Sequence, residues 1–342
     1  SPPPLPPTVD REKLPELKPA LDENSVIKVT VSEFKFTGNS SFSEEQLAAL
    51  LTRFLDRPLD IKELNQATNT ITQYYRSQGF LLTQAYLPEQ DIGQGLLEIS
   101  IIEGKLGELR LKLSPSLDEQ FLNGIASNNL APGDTICENN LVRNVSILNS
   151  LPALWAAAQL NPGEKLGTSD AEIELQELPR WNAVVYANTY GNRYTGREVV
   201  SGTLYLNNPA GRGDQAYLGL TSSRDELQRD LQLGYVIPVH VSGTLLSLEY
   251  NYVDYKLDGE FSVLNATGKS QYFGAFIDQP IVRASQKNLT TRVGISYKDV
   301  TDDVGAFSLK DRRYISAIEV GAYGDWRDKL NGFNQLGFNI RA

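Results

Sequence analysis

The chain has 342 residues, with 32 Lys and Arg against 42 Asp and Glu, one Cys, one His and no Met. That length exceeds one ordinary domain and suits two or three. The net charge of −10 argues against nucleic acid as the partner, because phosphate binding needs basic clusters and none occurs.

A single cysteine, Cys137, excludes an internal disulfide and a cysteine metal cluster, and it reads as a partly buried packing thiol. His240, in Val-Ile-Pro-Val-His-Val, reads as a structural residue at a strand end or turn. With the one His and the one Cys far apart, Cys–His or Ser–His–Asp chemistry has no material. No Gly-x-x-x-x-Gly-Lys-Ser/Thr loop is present for a nucleotide. The expectation is a protein that is not an enzyme and carries no cofactor or metal. No apolar run approaches the roughly 18–20 residues of a membrane-spanning helix. That does not make the chain soluble, because barrel strands alternate apolar and polar residues and leave little hydropathy signal. Lacking Met, and opening on Ser-Pro-Pro-Pro-Leu-Pro-Pro in place of a secretory leader, the chain is expected to be processed or trimmed.

Residues 1–24 are rich in proline and charge and read as an extended, semi-rigid linker. Order is expected from Val26, with Val29, Val31, Phe34 and Phe36 in a strand run closed by the turn pair Gly38-Asn39. Ser43 and Gln46 form a capping box ahead of Leu47, Leu50, Leu51 and Leu55, and Pro58 ends that helix. Leu64, Ala67, Ile71 and Tyr74-Tyr75 mark a second helix, stopped by Gly79. Strand runs follow at Phe80–Leu87 and Leu96–Ile102. The order β-α-α-β-β makes a small α+β domain, assigned to 25–104. The same order repeats over 105–179: a strand at Leu109–Leu113, helices carrying Leu117, Phe121, Leu122 and Ile125 and then Leu141, Val145 and Leu148, and strands near Leu154–Leu160 and Ala171–Leu178.

After Pro179 helical periodicity disappears. Residues 180–342 show eight or nine period-two segments between Gly, Asn, Asp and Pro turns. Leu231, Leu233, Tyr235 and Ile237 alternate with Gln232 and Gly234. Leu246, Leu248, Tyr250 and Tyr252 alternate with Ser247, Glu249 and Asn251. A soluble sandwich alternates too. Charged, amide and glycine residues on one face, with aromatics recurring on the other, favour an antiparallel membrane barrel with a polar lumen.

These residues resemble a known family. Val31-Ser-Glu-Phe-Lys-Phe-Thr-Gly-Asn39, Ile71-Thr-Gln-Tyr-Tyr-Arg-Ser-Gln-Gly-Phe80 and Leu97-Glu-Ile-Ser-Ile-Ile-Glu-Gly104 are similar to a POTRA (polypeptide transport-associated) domain. Tyr190-Gly-Asn-Arg-Tyr-Thr-Gly196 and Asn207-Asn-Pro-Ala-Gly-Arg-Gly-Asp214 are similar to the first barrel hairpins of two-partner secretion transporters (TpsB, haemolysin-activator type). The hairpin motif residues are Gly191, Arg193, Gly196, Asn208, Pro209, Gly211, Gly213 and Asp214. Gly211 and Gly213 suit a tight periplasmic turn with positive φ.

The resemblance implies tandem POTRA domains in the periplasm followed by a transmembrane barrel in the outer membrane, here only its N-terminal half. The family barrel has sixteen strands and an inward loop with a Val-Arg-Gly-Tyr/Phe type motif. Neither that motif nor the family's plug helix is evident, so the chain is expected to be a fragment. The implied function is export of a secreted TpsA-type exoprotein, with outer-membrane lipid as the other partner and a monomer as the working form. Capture of the unfolded client by β-augmentation is expected at the edge strand of the first domain, through Phe80, Leu82, Thr83 and Tyr86. Core packing is the rival reading of Phe80, Leu82 and Tyr86. Two other functions stay open: an outer-membrane assembly factor, and a soluble β-sandwich enzyme or binding protein. Asp225, Glu226 and Asp230 would serve the enzyme reading, but the charged stretch Ser223–Asp230 is more simply a solvated hairpin connection.

Overall fold

A computed structural model describes residues 28–80, 82–90, 95–165, 167–328, 330 and 332–342. The proline-rich stretch 1–24 and Val26 lie outside the described residues. The chain forms two compact units. One runs through Leu111 and adds Asn129–Val142 and Ala158–Ile173; the other holds Lys112–Asn128, Arg143–Ala157 and Glu174–Ala342.

The first domain begins with β1 (Val29–Thr30) and β2 (Glu33–Thr37), two strands where the sequence suggested one. The break falls at Ser32, whose N–H turns to the Gly95 carbonyl at 2.8 Å. Helix α1 (Glu44–Leu50) carries the expected capping box between Ser43 and Gln46. It ends earlier than the Leu55 pattern implied, passing into a 3-10 turn at Thr52–Phe54. Strand β3 (Pro58–Leu59) pairs with β1. Helix α2 (Ile61–Ser77) opens on a second capping box, Asp60 with Glu63, that pattern reading had missed. Strands β4 (Gln84–Tyr86) and β5 (Leu96–Ile102) complete a sheet of order β2-β5-β4. Alternation on β2 and β5 sends Phe34, Phe36, Leu97, Ile99 and Ile101 to one face, where they are buried with Leu47, Leu64, Ile71 and Tyr75 of the helices. Each such side chain contributes about 1.5–3 kcal/mol.

The second domain repeats the order with β6 (Lys105–Lys112), α3 (Glu119–Ala126), α4 (Glu138–Ser150), β7 (Leu154–Pro162) and β8 (Thr168–Glu177), its sheet running β6-β8-β7. Asp118 is the N-cap of α3, its side chain accepting from the Phe121 N–H.

The remaining strands are β9 (Trp181–Asn188), β10 (Val199–Asn207), β11 (Gln215–Ser223), β12 (Gln228–Pro238), β13 (Leu245–Lys256), β14 (Ala266–Ala284), β15 (Lys287–Val304), β16 (Leu309–Arg327) and β17 (Phe333–Arg341). They form one nine-stranded sheet in which every neighbour in space is the neighbour in sequence. Each pair is antiparallel, as short connections require. Register puts Leu204, Leu218, Leu233, Tyr250, Phe273 and Tyr297 in one row across the sheet. The intervening row on the other face reads Tyr217, Gly234, Glu249, Gly274 and Ser296. The apolar face is open, with Val185 74% and Ile295 63% exposed, whereas Phe276 and Asp278 on the polar face are each 4% exposed. Among the described residues the nine strands form one sheet and the other sheets have two or three strands, which does not favour the sandwich alternative. No described helix is long and apolar enough to cross a membrane, which says nothing of strands.

Candidate functional site

Strand β4 is an outer strand of its sheet but only three residues long. Of the four residues expected on that edge, Tyr86 lies on the strand, while Phe80, Leu82 and Thr83 precede it. That corrects the expected Phe80–Leu87 strand. Gly79, at φ 93°, ends α2, and the Thr83 N–H then bonds the Phe80 carbonyl at 3.2 Å, a turn that delays the extended run. Phe80 packs edge to face against Phe42 and Tyr75, with centroids 5.6 and 5.8 Å apart, so much of its surface serves the core. Thr83 is buried and Leu82 and Tyr86 are half-buried. The Ala85 N–H points away from β5 and donates to the Thr72 Oγ1 of α2 at 3.0 Å. A helix hydroxyl therefore occupies the middle of this edge.

A buried carboxylate ties the start of the second domain to the first. Glu103 accepts from the N–H groups of Ser40 and Ser41 at 2.9 Å each, from Ser41 Oγ at 3.0 Å, Tyr75 Oη at 2.8 Å and Thr135 Oγ1 at 3.3 Å, and also from Ser40 Oγ. Burial pushes the Glu103 carboxyl up, but the bonds from Ser40, Ser41 and Tyr75 outweigh it and hold the group below the usual range. Burial and the same bond push the Tyr75 phenol far up. Two backbone bonds run alongside: Ile136 N–H to the Gly104 carbonyl at 2.9 Å and Glu138 N–H to the Gly79 carbonyl at 2.8 Å. Cys137 in this stretch is half-buried. The quoted motif held Glu103 without revealing this role; its signal was a carboxylate between Ile102 and Gly104 at the end of an apolar strand.

The β10–β11 turn contains five of the eight motif residues: Asn208, Pro209, Gly211, Gly213 and Asp214. Asn208, Gly211 and Gly213 have φ of 58°, 81° and 80°. Asn208 Oδ1 accepts from the Gly213 N–H at 2.8 Å. Asp214 is fully buried and accepts from the Ala210 N–H at 3.0 Å, the Arg212 N–H at 3.2 Å and Tyr235 Oη at 2.6 Å. The turn seats on the second domain. Arg212 Nε donates to Asp118 Oδ2 at 2.9 Å and its guanidinium stacks on Phe121 at 4.9 Å. The Asp118 N–H bonds the Gly211 carbonyl at 2.8 Å. Asn208 Nδ2 donates to Glu177 at 2.6 Å, and Ser116 Oγ donates to the same carboxylate. Burial raises the Glu177 carboxyl, but those bonds hold it below its ordinary value. Sequence reading found the turn but missed its partners, which lie about 90 and 30 residues away in sequence.

The other three motif residues form the β9–β10 loop at the opposite end of the strands. Gly191 N–H bonds the Arg197 carbonyl at 3.0 Å, and a Cβ at Gly191 would strike the Gly196 carbonyl oxygen. Arg193 pairs with Glu260 at 2.7 Å, and Tyr194 Oη donates to the same carboxylate at 2.6 Å.

The polar face of the sheet is built of charges and glycines. Arg292 grips Asp278 with two bonds of 2.8 Å, and Arg341 pairs with Glu319 at 2.8 Å. Both carboxylates are buried while their guanidiniums are partly exposed. Aromatic rings lie over glycines: Tyr217 over Gly234, Tyr255 over Gly268 and Phe276 over Gly294, where a Cβ would collide. A hollow of about 260 Å³ includes Arg292, Glu319, Tyr323 and Asn339, with Gly321 and Gly337 beside them. His240 sits in the β12–β13 turn and accepts from the Ser242 N–H through Nδ1 at 3.1 Å, a structural position. Among the described residues no group of His, Cys, Asp and Glu could hold a metal.

Comparison with known proteins matches residues 29–104 to the POTRA domain, ShlB-type, and residues 167–322 to the haemolysin secretion/activation protein family ShlB/FhaC/HecB. Both models are of the ShlB type, and together they take in the first domain and most of the nine-stranded sheet. The heme/hemopexin transporter protein HuxB of Haemophilus influenzae (strain 86-028NP) is 28% identical over 288 residues, 84% of this chain and 51% of HuxB. The outer membrane transporter CdiB of Escherichia coli O6:K15:H31 is 25% identical over 301 residues, 85% of this chain and 50% of that protein. The chain thus spans about half the length of the curated relatives it matches. In fold it is similar to CdiB from Escherichia coli, with a TM-score of 0.78 at 19% identity over 97% of this chain and 63% of that one. CdiB from Acinetobacter baumannii gives 0.66 at 19% identity over 98% and 65%. By these similarities the chain has barrel strands in the outer membrane and a ShlB-type POTRA domain in the periplasm. Its open apolar face is then the lipid face and its charge-and-glycine face the lumen wall.

Proposed function

We propose that this chain is the periplasmic part and the first nine barrel strands of a two-partner secretion transporter, which exports a TpsA-type exoprotein. The observation that carries the reading is the nine-stranded sheet itself, apolar outward and polar inward, on the same chain as a ShlB-type POTRA domain. The proposed division is a linker at 1–24, POTRA domains at 25–104 and 105–179, and barrel strands from 180. Outer-membrane lipid and the exoprotein are the partners, the working form is a monomer, and no enzymatic step is assigned. The names HuxB, CdiB and ShlB among the relatives favour secretion over a barrel-assembly role.

The client would enter as an extended strand. Pairing along β4, beside Tyr86 and flanked by Phe80, Leu82 and Thr83, requires the Ala85 N–H to leave Thr72 Oγ1. That bond favours a second reading, in which the client pairs along the opposite outer strand, β2, which has five residues against three. Photo-cross-linkers at Tyr86 and at Lys35 in the intact transporter separate the two. Adducts with the unfolded exoprotein at 86 alone support β4, and adducts at 35 alone support β2. If neither position labels while the exoprotein still reaches the medium, strand addition on this sheet is wrong. Co-expression should move the exoprotein of the same genome into the medium, and removing residues 29–104 should abolish that; export that survives the deletion would sink the capture role.

A further inference from the structure

Along β8, Ala171, Ile173 and Leu175 are buried, so Asp170, Glu172, Glu174 and Gln176 form the outer face of the second domain's sheet. The next position on that face is Leu178. On β7, Trp155 stands outward between the buried Leu154 and Ala156. Gln159 Nε2 bonds Glu172 Oε1 at 3.1 Å, and the Leu178 N–H bonds the Ala153 carbonyl at 3.0 Å. That register sets Trp155 opposite Gln176 and places Leu178 diagonally beside it, within about 8 Å. The outer face therefore passes from carboxylates to two large apolar side chains as β8 nears the barrel.

Trp181 follows three residues after Leu178, a reach of at most about 10 Å, and opens β9 on the lipid face in the row of Leu206 and Ala216. Trp155, Leu178 and Trp181 are 42%, 43% and 57% exposed. Arg180, also exposed, lies between the last two and offers a cation to phosphate. Isolated exposed apolar residues are ordinary. Here three converge beside a cation where the strands enter the bilayer, the setting in which Trp accumulates because its ring is apolar and its N–H polar.

We propose that Trp155 and Leu178 insert into the headgroup region of the periplasmic leaflet, so that the second POTRA domain is itself a membrane-contacting element continuous with the Trp181 belt. The partner is a phospholipid surface, because the patch runs on from a side chain that already faces lipid. This rests on the outer-membrane placement of β9.

The test uses the intact transporter reconstituted in phosphatidylcholine vesicles, with and without lipids brominated close to the headgroup. The emission lost on changing Trp155→Phe is the signal of Trp155 alone, whatever other tryptophans are present. Bromolipid should cut that signal by about half or more, and Leu178→Gln should weaken the quenching. A Trp155 signal quenched by aqueous iodide but not by bromolipid would overturn the proposal in favour of open solvent. A signal quenched by neither would overturn it in favour of a protein covering. Heat-modifiable gel mobility, read on each sample, reports the barrel separately, so loss of the barrel and a lipid-free Trp155 are distinguishable.

Discussion

The first POTRA domain and the nine-stranded sheet use the same alternation of apolar and polar residues and send it to opposite solvents. On β2 and β5 the apolar positions are hidden under helices, and Lys35 and Glu33 meet water. On β9 to β17 most large apolar side chains are exposed, and the buried positions include Asp278, Glu319 and Ser201. What differs is the polar side. The domain leaves Glu33 and Lys35 exposed, whereas the sheet closes its polar face with paired charges and aromatic rings over glycines. Periodicity alone thus fixes a strand but not its medium; the density of partnered polar groups on the polar face decides that.

The same substitution on a buried strand-facing helix position and on the open face of the sheet should have unequal costs. Ile71 is fully buried and Ile295 is 63% exposed. Ile71→Ala should destabilise the first domain by about 3 kcal/mol, as a cavity there cannot collapse freely. Ile295→Ala should stay within about 1 kcal/mol in lipid. Hydrogen exchange across β5, and the temperature at which the heat-modifiable band is lost, would read the two sites. Equal losses at both would mean that the apolar face of the sheet is packed, not lipid-facing.

The second test asks whether polar closure holds the sheet. Arg292→Ala would leave Asp278, whose side chain is 6% exposed, without its bidentate partner. Removing one member of a buried pair typically costs 3–5 kcal/mol, and partial exposure of the guanidinium lowers the expectation to about 2–3 kcal/mol. The heat-modifiable transition should fall accordingly, and Arg292→Lys should restore only part of it.

Much of this was legible beforehand, for a physical reason that also marks the limit. Period-two runs such as Leu231–Ile237 fix a strand and its faces locally, so the sheet and its two surfaces followed from pattern. Positive φ at Gly211 and Gly213 was likewise a local demand of a short turn. What could not be read is long-range: Arg212 reaching Asp118, Asn208 reaching Glu177, and Thr135 joining Ser40 and Ser41 on Glu103. The β4 edge was misjudged for the same reason, since the hydroxyl that occupies Ala85 comes from Thr72, thirteen residues earlier on a helix.

Two junction carboxylates offer intermediate effects. Asp214→Ala would orphan the Ala210 and Arg212 N–H groups and Tyr235 Oη, for a loss of about 2 kcal/mol. Protease cutting at the β10–β11 turn should rise, and Asp214→Asn should recover part of the protection. Glu103→Gln should remove about 1–2 kcal/mol at neutral pH, with a pH signature. The folded carboxyl lies below its ordinary value, so its contribution is complete above the unfolded pKa of about 4.3. It is lost as pH falls through the folded value. The difference between wild type and Glu103→Gln, read as urea midpoints of β5 exchange, should therefore be largest at pH 7 and shrink toward acid. A difference that grows as pH falls would reverse the assignment.

The smallest effect is expected from the pair that looks most like Arg292–Asp278. Arg312 also grips its partner with two bonds, to Asp299 at 3.1 and 2.6 Å, and also neighbours an aromatic ring, Tyr314 at 4.9 Å. The Arg312 side chain is 54% exposed, and the pair lies toward the β15–β16 loop, where β15 and β16, at 18 and 19 residues, outrun the 9–11 that a bilayer needs. Water can solvate either charge when the other is removed, and salt screens both. Arg312→Ala should accordingly leave the heat-modifiable transition unchanged at physiological salt, although the hydrogen-bond count matches that of Arg292. A drop as large as that of Arg292→Ala would show that geometry outranks burial on this sheet, and the contrast between its closed lumen wall and its open surfaces would have to be redrawn.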